Sequence, residues 1–471
     1  MPSPSSSEAG ADDSDRGLAA HTTVSLGSVN PCGSRQRGRR SAVALTDRSV
    51  VVGTAGGDLR AFDRDPARAG DAESPGEPDA AADAPRAPER WRLAGEEPVV
   101  ALAPFDGGVL AGTRGERGVV RLVDADGAER WRVEAADDVG TPTKQTRFRY
   151  PFVAALATHG DRAYAVARRY ERRGAAGGAD TDGDASGDDD AGSARRFESV
   201  VYALEADGTV AWRHAARASP IAAAADGDRV AVAYNRCPEP DAHDDGLVVL
   251  DPGSGDVRLR WDPRRAPDAR SDADATRSVG DVALMPEGYA VASQADYRGY
   301  LLDRAGSVAG AVDLGTPVER ETGDGSDRVY AYPNHVHAGA DGVAYVVGNS
   351  FPTEGRETPA RHPAEHTAVG VDLGGDERWR ADVGGFAHHV AAAGDALAVP
   401  VAQHFRDRDP AVHGVRLFDV NAGRRASVDT DGVATAVAVD GTGAAAVEEP
   451  VAYHDDGAGE RGAYRLHRWR R

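Results

Sequence analysis

The chain has few cysteines, few lysines and no long apolar run. Of its 471 residues two are cysteine, Cys32 and Cys237, and Lys144 is the single lysine among 55 basic residues. Two cysteines this far apart in sequence cannot form a disulfide framework, and we expect two free thiols. No apolar run approaches the roughly 18 residues that a membrane-spanning helix requires. Neither a disulfide-rich protein nor a helical membrane protein is therefore expected.

The charge is strongly of one sign. The chain has 76 acidic and 55 basic residues, which gives a net charge of −21. No basic stripe is present, and this argues against nucleic acid as a partner. The composition, rich in acid, Ala, Gly and Arg, resembles that of acidic proteins from haloarchaea and other extreme halophiles. Concentrated salt screens repulsion between like charges, so we interpret the negative charge as an adaptation to a salty solvent.

Several sequence motifs of catalysis and export are absent. There is no Gly-x-Ser-x-Gly elbow, no phosphate-binding glycine loop and no His-Glu-x-x-His. The first residues, MPSPSSSEAGADDSD, are acidic and lack the apolar core of a signal peptide. A pair of arginines, Arg39 and Arg40, precedes the apolar segment SAVAL, but Asp47 and Arg48 interrupt the run that an export signal needs. The sequence thus favours a non-catalytic, cytoplasmic protein, while export and catalysis stay open.

A pattern repeated along the chain is the most informative feature that is present. A short apolar strand, an acidic or glycine-containing turn and then a tryptophan recur, and five of the six tryptophans follow this pattern: Trp91, Trp131, Trp212, Trp261 and Trp379. Trp469 is predicted to lie just past the third strand of the last unit and is left out of the set. The units begin near Ser41, Val99, Pro151, Pro220, Val279, His335, His388 and Val433.

These units predict an all-β fold. Four strands per unit, repeated eight times, indicate an eight-bladed β-propeller of four-stranded antiparallel blades. The last unit has only three strands, and residues 22–26 (TTVSL) supply a spare one, so we predict that an N-terminal strand closes the ring. Residues 21–471 then form one domain after an acidic tail, residues 1–20. The tail and the Asp/Ala/Gly/Pro-rich inserts at about 66–88 and 173–195 are predicted to be disordered.

The spacing Gly-x-x-x-Trp, in Gly127–Trp131, Gly208–Trp212 and Gly375–Trp379, resembles the tryptophan-docking repeat of the PQQ-like (quinoprotein-type) propeller family, a WD-like repeat. The resemblance covers roughly residues 22–470 and implies that each indole packs between neighbouring blades. Enzymes of that family use a pair of adjacent cysteines over the quinone, which this chain lacks. The resemblance together with this absence therefore favours the non-enzymatic branch without PQQ, and a quinoprotein dehydrogenase is kept as a further, less favoured alternative.

One face of the predicted propeller carries the long loops. The loops between the second and third strand of each blade (B–C loops) are expanded at residues 172–196, 236–245, 349–366, 403–413 and 454–461, whereas the other turns are short apart from the 66–88 insert. Variable loops on one face of a rigid scaffold are typical of a binding surface. We therefore predict a monomeric scaffold that binds a protein partner or a small ligand on this face.

Histidines concentrate in the same region, since eight of the fourteen lie between His335 and His413. Asp281, His335 and His389 fall at one equivalent position of the innermost strand, where other units carry alanine. His337 and His388 are close to them in sequence, and the B–C loops add His362, His366, His404 and His413. Imidazole and carboxylate groups are suitable ligands for zinc or another divalent transition metal. The alternative function is therefore that of a metal-dependent enzyme with its site at the channel mouth. The competing interpretation is that these polar residues line the channel and bind no metal.

A weaker signal lies before the third unit. Lys144, Arg147 and Arg149 are placed on the face of the long loops, where cationic groups could hold an anionic ligand. The competing interpretation is a solvated loop.

Overall fold

Short segments of alternating Val, Ala and Leu, separated by turns of Gly and Asp, form strands throughout the chain. The computed structural model describes residues 20–35, 40–64, 88–146, 148–172, 195–270, 276–323, 325–355, 357–453 and 459–470. The predicted tail and the two predicted inserts fall outside the described residues, except for Ala20, Pro88 and Arg195.

The first half of the chain forms two N-terminal strands and blades 1 to 4. Before the repeats come β1 (Ala20–Ser25) and β2 (Cys32–Gly33). Blades 1 and 2 contain β3 (Ala42–Leu45), β4 (Ser49–Gly53), β5 (Leu59–Asp63), β6 (Glu89–Leu93), β7 (Val99–Phe105), β8 (Gly108–Thr113), β9 (Val119–Val123) and β10 (Glu129–Glu134), followed by the one-turn helix α1 (Ala136–Val139). Blades 3 and 4 contain β11 (Phe152–His159), β12 (Arg162–Arg172), β13 (Arg195–Glu205), β14 (Val210–Ala216), β15 (Ser219–Ala225), β16 (Val230–Arg236), β17 (Leu247–Leu250) and β18 (Val257–Trp261).

The second half forms blades 5 to 8. Blades 5 and 6 contain β19 (Val279–Met285), β20 (Gly288–Ser293), β21 (Arg298–Asp303), β22 (Val308–Asp313), β23 (Val318–Thr322), β24 (Gly325–Ala338), β25 (Gly342–Pro352), β26 (Thr367–Asp372) and β27 (Glu377–Asp382). Blades 7 and 8 contain β28 (Phe386–Ala387), β29 (Ala391–Ala393), β30 (Ala396–Ala402), β31 (Gly414–Asp419), β32 (Gly423–Asp429), β33 (Val433–Val439), β34 (Gly443–Glu449), β35 (Val451–Tyr453), β36 (Gly459–Arg461) and β37 (Arg465–Arg470). Single 3₁₀ turns occur at Pro263–Arg265 and Pro410–Val412.

The chain is an all-β, eight-bladed β-propeller of antiparallel blades, as predicted. Successive strands within a blade are neighbours, and the strands that contact their counterparts in adjacent blades are innermost, among them β3, β7, β11, β15, β19, β24 and β33. The B–C loops share one side with the starts of these innermost strands. We call this side the B–C face. Within the described residues no helix is long and apolar enough to cross a membrane.

The N-terminal strand belongs to the last blade. β1 pairs antiparallel with β37, with Thr23 opposite His467, in the sheet that also contains β34 and β33. Val24 and Leu26 are buried in a cluster that includes Val43 of blade 1 and Leu466 of blade 8. Strand β1 thus completes blade 8, and the first and last blades share one hydrophobic cluster.

Three features depart from eight regular four-stranded units. Blade 6 has five strands, because β23 and the first part of β24 form a mostly exposed hairpin ahead of the predicted start at His335. The innermost strand of blade 7 is interrupted at His388 and His389, between β28 and β29. A small extra sheet joins β2, β35 and β36, in which β2 runs parallel to β35.

Four of the predicted docking tryptophans pack on the next blade in one common way. Each indole Nε1 donates to a carbonyl oxygen in the outer turn of the following blade at 2.7–3.0 Å, in the pairs Trp91–Ala125, Trp131–Ala206, Trp212–Pro252 and Trp379–Val420. A glycine with positive φ in the same turn faces the ring, and a Cβ there would lie 2.5–3.4 Å from the nearest indole atom, at Gly127, Gly208, Gly255 and Gly423 respectively. In these four turns the glycine therefore accommodates the tryptophan of the preceding blade.

Trp261 does not dock in this way, which corrects its assignment to the set. Its strand places Leu259 after the register shift, opposite Val249, where the other blades have tryptophan. Gly306 of the next turn faces Leu259, and a Cβ there would be 2.8 Å from a leucine methyl carbon. Trp261 lies two residues further along and contacts the Tyr300 ring edge-on, with ring centroids 5.2 Å apart.

Trp469 also differs from its predicted place. It lies inside β37 rather than past it, and its side chain is 5% exposed. The ring stacks on His21 of β1 and His467. Trp469 is therefore part of the packing that joins β1 to blade 8.

Candidate functional site

Three of the predicted metal ligands occupy one structural position in consecutive blades. Asp281 and His335 each follow a register shift in the innermost strand, and His389 lies in the interruption of the innermost strand of blade 7. Ala155 and Ala222 follow the corresponding shifts in blades 3 and 4. Positions that are equivalent in the repeated sequence are therefore also equivalent in the innermost strands around the channel.

The first two of these side chains contact the backbone of the following blade. The Asp281 carboxylate oxygen Oδ2 accepts a hydrogen bond from the N–H of Val336 at 3.1 Å and lies 3.6 Å from Nδ1 of His335. Nε2 of His335 lies 3.3 Å from the carbonyl oxygen of Ala387. Asp281 thus connects blade 5 to blade 6, and His335 connects blade 6 to blade 7.

The remaining predicted ligands have separate partners. Nε2 of His389 accepts a hydrogen bond from the N–H of Val437 in blade 8 at 3.2 Å. His337 donates from Nε2 to the carbonyl oxygen of Gly394 at 2.7 Å, and burial lowers the pKa of His337. His388 lies beside Phe386, with its ring perpendicular to the phenylalanine ring. The structure therefore brings Asp281 and His335 together, whereas His337, His388 and His389 face different groups.

A compact group of possible metal ligands lies instead on the B–C face, between blades 6 and 7. Within the described ranges, Glu365, His366 and His404 form the group of three whose ligand atoms all lie within 4.8 Å of one another. Oε1 of Glu365 is 3.3 Å from Nε2 of His404 and 3.9 Å from Nε2 of His366. The three side chains are at most 7% exposed. The group contains two of the loop histidines singled out from the sequence, together with a glutamate that was not.

Hydrogen bonds around this group indicate how it is protonated. The N–H of Arg406 donates to Nδ1 of His404 at 3.0 Å, so the proton of the neutral ring is on Nε2 and faces Glu365. Nη1 of Arg361 lies 3.5 Å from Glu365 Oε1, and the N–H of Ser350 donates to Oε2 at 3.2 Å. Oε2 of Glu365 thus has a hydrogen-bond donor, whereas the buried Oε1 has none among the described residues. A metal on Nε2 of His404 requires the ring to turn away from Arg406.

Other loop histidines are structural. Nε2 of His362 donates to the carbonyl oxygen of Thr316 at 2.9 Å, and burial lowers the pKa of His362. His413 is fully buried, with Nε2 2.8 Å from the amide oxygen of Gln403 and 2.9 Å from the hydroxyl of Tyr453. Burial also lowers the pKa of His413. Both rings are therefore neutral anchors for the B–C loops near neutral pH.

The basic group before blade 3 is only partly described. Arg147 lies outside the described residues, and Lys144 lies in the loop that leads to β11. Arg149 is 6% exposed, and its Nη1 lies 3.2 Å from the Glu171 carboxylate. Arg169 pairs with the other oxygen of the same carboxylate, so Glu171 holds both arginines in place beside this loop.

A ribbon of aromatic side chains crosses the B–C face from blade 5 to blade 7. Its members, Tyr297, Tyr330, Tyr332, Phe351 and Phe405, are neighbours with ring centroids 4.5–6.3 Å apart. Tyr330, Phe351 and Phe405 are partly exposed, whereas Tyr297 and Tyr332 are buried beneath them. We call this group the aromatic ribbon. It is the largest aromatic grouping in the described part of a chain with only 6% aromatic residues.

Arginines and strained backbone accompany the aromatic ribbon. The guanidinium carbon of Arg277 lies 5.2 Å from the Tyr332 ring centroid, and that of Arg406 lies 5.1 Å from the Phe405 centroid. Tyr297, His366 and Arg408 have φ values of +66°, +54° and +50°, a conformation that is costly for residues other than glycine. These three residues lie in the B–C loops of blades 5, 6 and 7, so local strain accumulates next to the ribbon.

The sequence contained weak signals of this surface. The alternation Tyr330-x-Tyr332 places two aromatic rings on one side of β24, as the two-residue period of a strand requires. The other members come from three separate loops or strand ends, so only the fold brings them together. Glu365 was not singled out because a lone acidic residue carries no signal in a chain with 76 of them.

Comparison with known proteins supports the fold. The structure aligns with that of BamB from Moraxella catarrhalis at a TM-score of 0.51 and 13% identity, covering 96% of this chain and 100% of that one. It aligns with a computationally designed protein, Ika8, at a TM-score of 0.52 and 11% identity, covering 95% and 99% of the two chains. No family model and no curated protein sequence matches the chain. These likenesses show a β-propeller fold and nothing finer.

Proposed function

We propose that the protein is a non-catalytic β-propeller scaffold that binds a protein partner through the B–C face of blades 5 to 7. The aromatic ribbon is the observation that carries this proposal. Tyrosine, phenylalanine and arginine supply large contact area at low cost in side-chain entropy, and they dominate the binding energy of protein interfaces. In a non-enzymatic propeller of the PQQ-like kind, the blades would serve as the rigid support for such a binding surface.

The strained loops support the same conclusion. Tyr297, His366 and Arg408 keep unfavourable backbone angles in three consecutive loops, although glycine is abundant elsewhere in the chain. Strain of this kind, of about 1–3 kcal/mol per residue, persists where the surrounding structure holds a side chain in a required direction. The loops therefore present a rigid surface, which reduces the entropy lost on binding.

A selection from a random peptide display library tests this proposal. The peptides selected against the wild-type protein are measured against a Tyr330→Ala/Phe351→Ala variant, which truncates two exposed rings of the ribbon. Since a buried aromatic anchor contributes about 2 kcal/mol or more, we expect the affinity to fall by at least about ten-fold. The matched control is Leu373→Ala, because Leu373 is 43% exposed and lies in the outer turn of blade 6, on the opposite face.

The unfolding midpoints of both variants are measured in parallel, because only folded proteins can be compared. Equal binding of the selected peptides to wild type and both variants would contradict the proposal, as would a selection that yields no binding peptide. Binding of a small dye or fragment to the ribbon without any peptide would favour a small ligand instead.

The second candidate is a divalent-metal site that serves a metal-dependent enzyme at the channel mouth, with Asp281, His335 and His389 as ligands. The 3.6 Å separation of the Asp281 carboxylate and the His335 imidazole favours it, since a metal accepts both groups. Its weakness is that the three side chains already make hydrogen bonds to neighbouring blades.

Elemental analysis after dialysis against zinc or manganese distinguishes this site from the group Glu365, His366 and His404 on the B–C face. Wild type is compared with His335→Ala and His404→Ala. Metal lost from His335→Ala alone supports the channel site, and metal lost from His404→Ala alone places it at Glu365, His366 and His404. Metal-free wild-type protein rules out both.

A further inference from the structure

A large cavity lies on the face opposite the aromatic ribbon, between blades 8 and 1. Its volume is about 720 Å³, within the range of small-molecule sites. The turns that follow the innermost strands of the two blades form two of its walls, at residues 46–48 and 440–442, and the ends of β5 and β37 form the others. Both ends of the repeated chain therefore contribute to one site.

The lining of this cavity is cationic although the protein as a whole is strongly acidic. Five arginines and two aspartates line it, in a chain whose net charge is −21. The arginines are Arg48, Arg64 and Arg90 of blade 1 and Arg468 and Arg470 of blade 8. Arginine is the residue best suited to bidentate recognition of phosphate and carboxylate oxygens.

Two of these arginines are held in position by neighbouring groups. Nη1 of Arg64 donates to the carbonyl oxygen of Thr46 at 2.7 Å, and its Nη2 contacts the carboxylate of Asp440. Nη1 of Arg90 lies 2.8 Å from the Asp63 carboxylate. Each guanidinium is thus oriented before any ligand arrives, while part of each side chain stays exposed. Such preorganisation reduces the entropy cost of binding.

Arg468 provides an independent indication that the cavity suits an anion. Its side chain lines the cavity, yet the residue is only 6% exposed. Nη1 donates to the backbone carbonyl of Asp63, whereas the buried Nε has no hydrogen-bond acceptor among the described residues. Burial lowers the pKa of Arg468, and Asp63 offsets this only in part. A buried guanidinium with so little compensation is costly, and an anion in the cavity would offset that cost.

We infer that this cavity, the blade 8–blade 1 groove, binds a small, multiply charged oxyanion, either a phosphorylated or a polycarboxylate molecule. The ligand would contact arginines of the first and the last blade at once. Binding would therefore also stabilise the junction at which the ring closes. This inference is independent of the binding surface on the B–C face.

Calorimetric titration with inorganic pyrophosphate and with citrate tests the inference. The titrations use the full chain at one KCl concentration at which it is folded. We expect at least one of the two anions to bind and to raise the unfolding midpoint. We expect Arg48→Gln and Arg468→Gln each to weaken that binding by at least about ten-fold, because each removes a charge-assisted contact. Pyrophosphate binding alone identifies a phosphorylated ligand, and citrate binding alone a polycarboxylate.

Arg304→Gln is the matched control. Arg304 is exposed in the outer turn of blade 5, on the same face but far around the ring, so its loss removes the same charge outside the groove. Arg48 is exposed as well, so Arg48→Gln remains informative even if Arg468→Gln does not fold. The inference is overturned if neither anion binds. It is also overturned if Arg304→Gln and Arg48→Gln weaken anion binding equally.

Discussion

Replacing Trp212 by alanine is expected to lower the free energy of unfolding by about 3–5 kcal/mol, the usual cost of emptying a buried aromatic site. The indole is 8% exposed, donates to the carbonyl oxygen of Pro252 at 3.0 Å and lies beside Tyr164. Its removal leaves a cavity between blades 3 and 4 and a carbonyl without its donor. Chemical denaturation of wild type and variant at the same salt concentration measures the loss. Trp131 and Trp379, which dock in the same way, are expected to behave alike.

Gly255 supplies the matched variant for this prediction. It has a φ of +76°, and a Cβ added there would lie 2.7 Å from the Trp212 ring. Gly255→Ala should therefore destabilise wild type, and part of that loss should vanish in the Trp212→Ala background, where the clash with the ring is absent. A loss below about 1 kcal/mol for Trp212→Ala, or equal effects of Gly255→Ala in both backgrounds, would show that the docking contact is not a main source of stability.

The fold could be predicted from the sequence because the same strand and turn pattern recurs in eight units. Strand alternation, short Gly/Asp turns and the tryptophan pattern all agree, and such agreement specifies an architecture. Departures occurred where a single unit differs from the rest. Leu259 takes the docking position in blade 4, and Trp261, two residues beyond it, mimics the pattern in sequence only. The hairpin of β23 and β24 is polar and mostly exposed, so its sequence lacks the apolar alternation from which a strand is predicted.

The sites were less predictable than the fold, because their residues come from different blades. Comparison of the repeat units with one another placed Asp281, His335 and His389 at one position of the innermost strand. That each side chain turns to the backbone of the next blade depends on the three-dimensional structure. The aromatic ribbon joins Tyr297 to Phe405 across three blades, a separation in sequence that no motif spans. Side-chain direction and the path of the loops decide these contacts, and both depend on tertiary packing rather than on local pattern.

Deleting residues 1–30 is expected to produce the second large effect, a marked fall in the unfolding midpoint. The deletion removes β1, and with it the pairing to β37 and the buried side chains Val24 and Leu26. Loss of two buried aliphatic side chains alone costs about 4–8 kcal/mol, and the open edge of β37 would add to this cost. Thermal unfolding followed by circular dichroism, at one salt concentration, measures the shift.

Deletion of residues 1–18 is the control, because it removes most of the acidic tail and leaves β1 whole. We expect its midpoint to stay close to that of the full chain, since these residues contribute charge but none of the pairs between β1 and β37. Val24→Asp in the full chain separates pairing from packing: it keeps the strand and places a charge in the cluster shared by blades 8 and 1. If both truncations unfold at the same temperature, the junction between the last and first blades does not depend on β1. If only the longer truncation and Val24→Asp are destabilised, the ring is held closed by the burial of this strand.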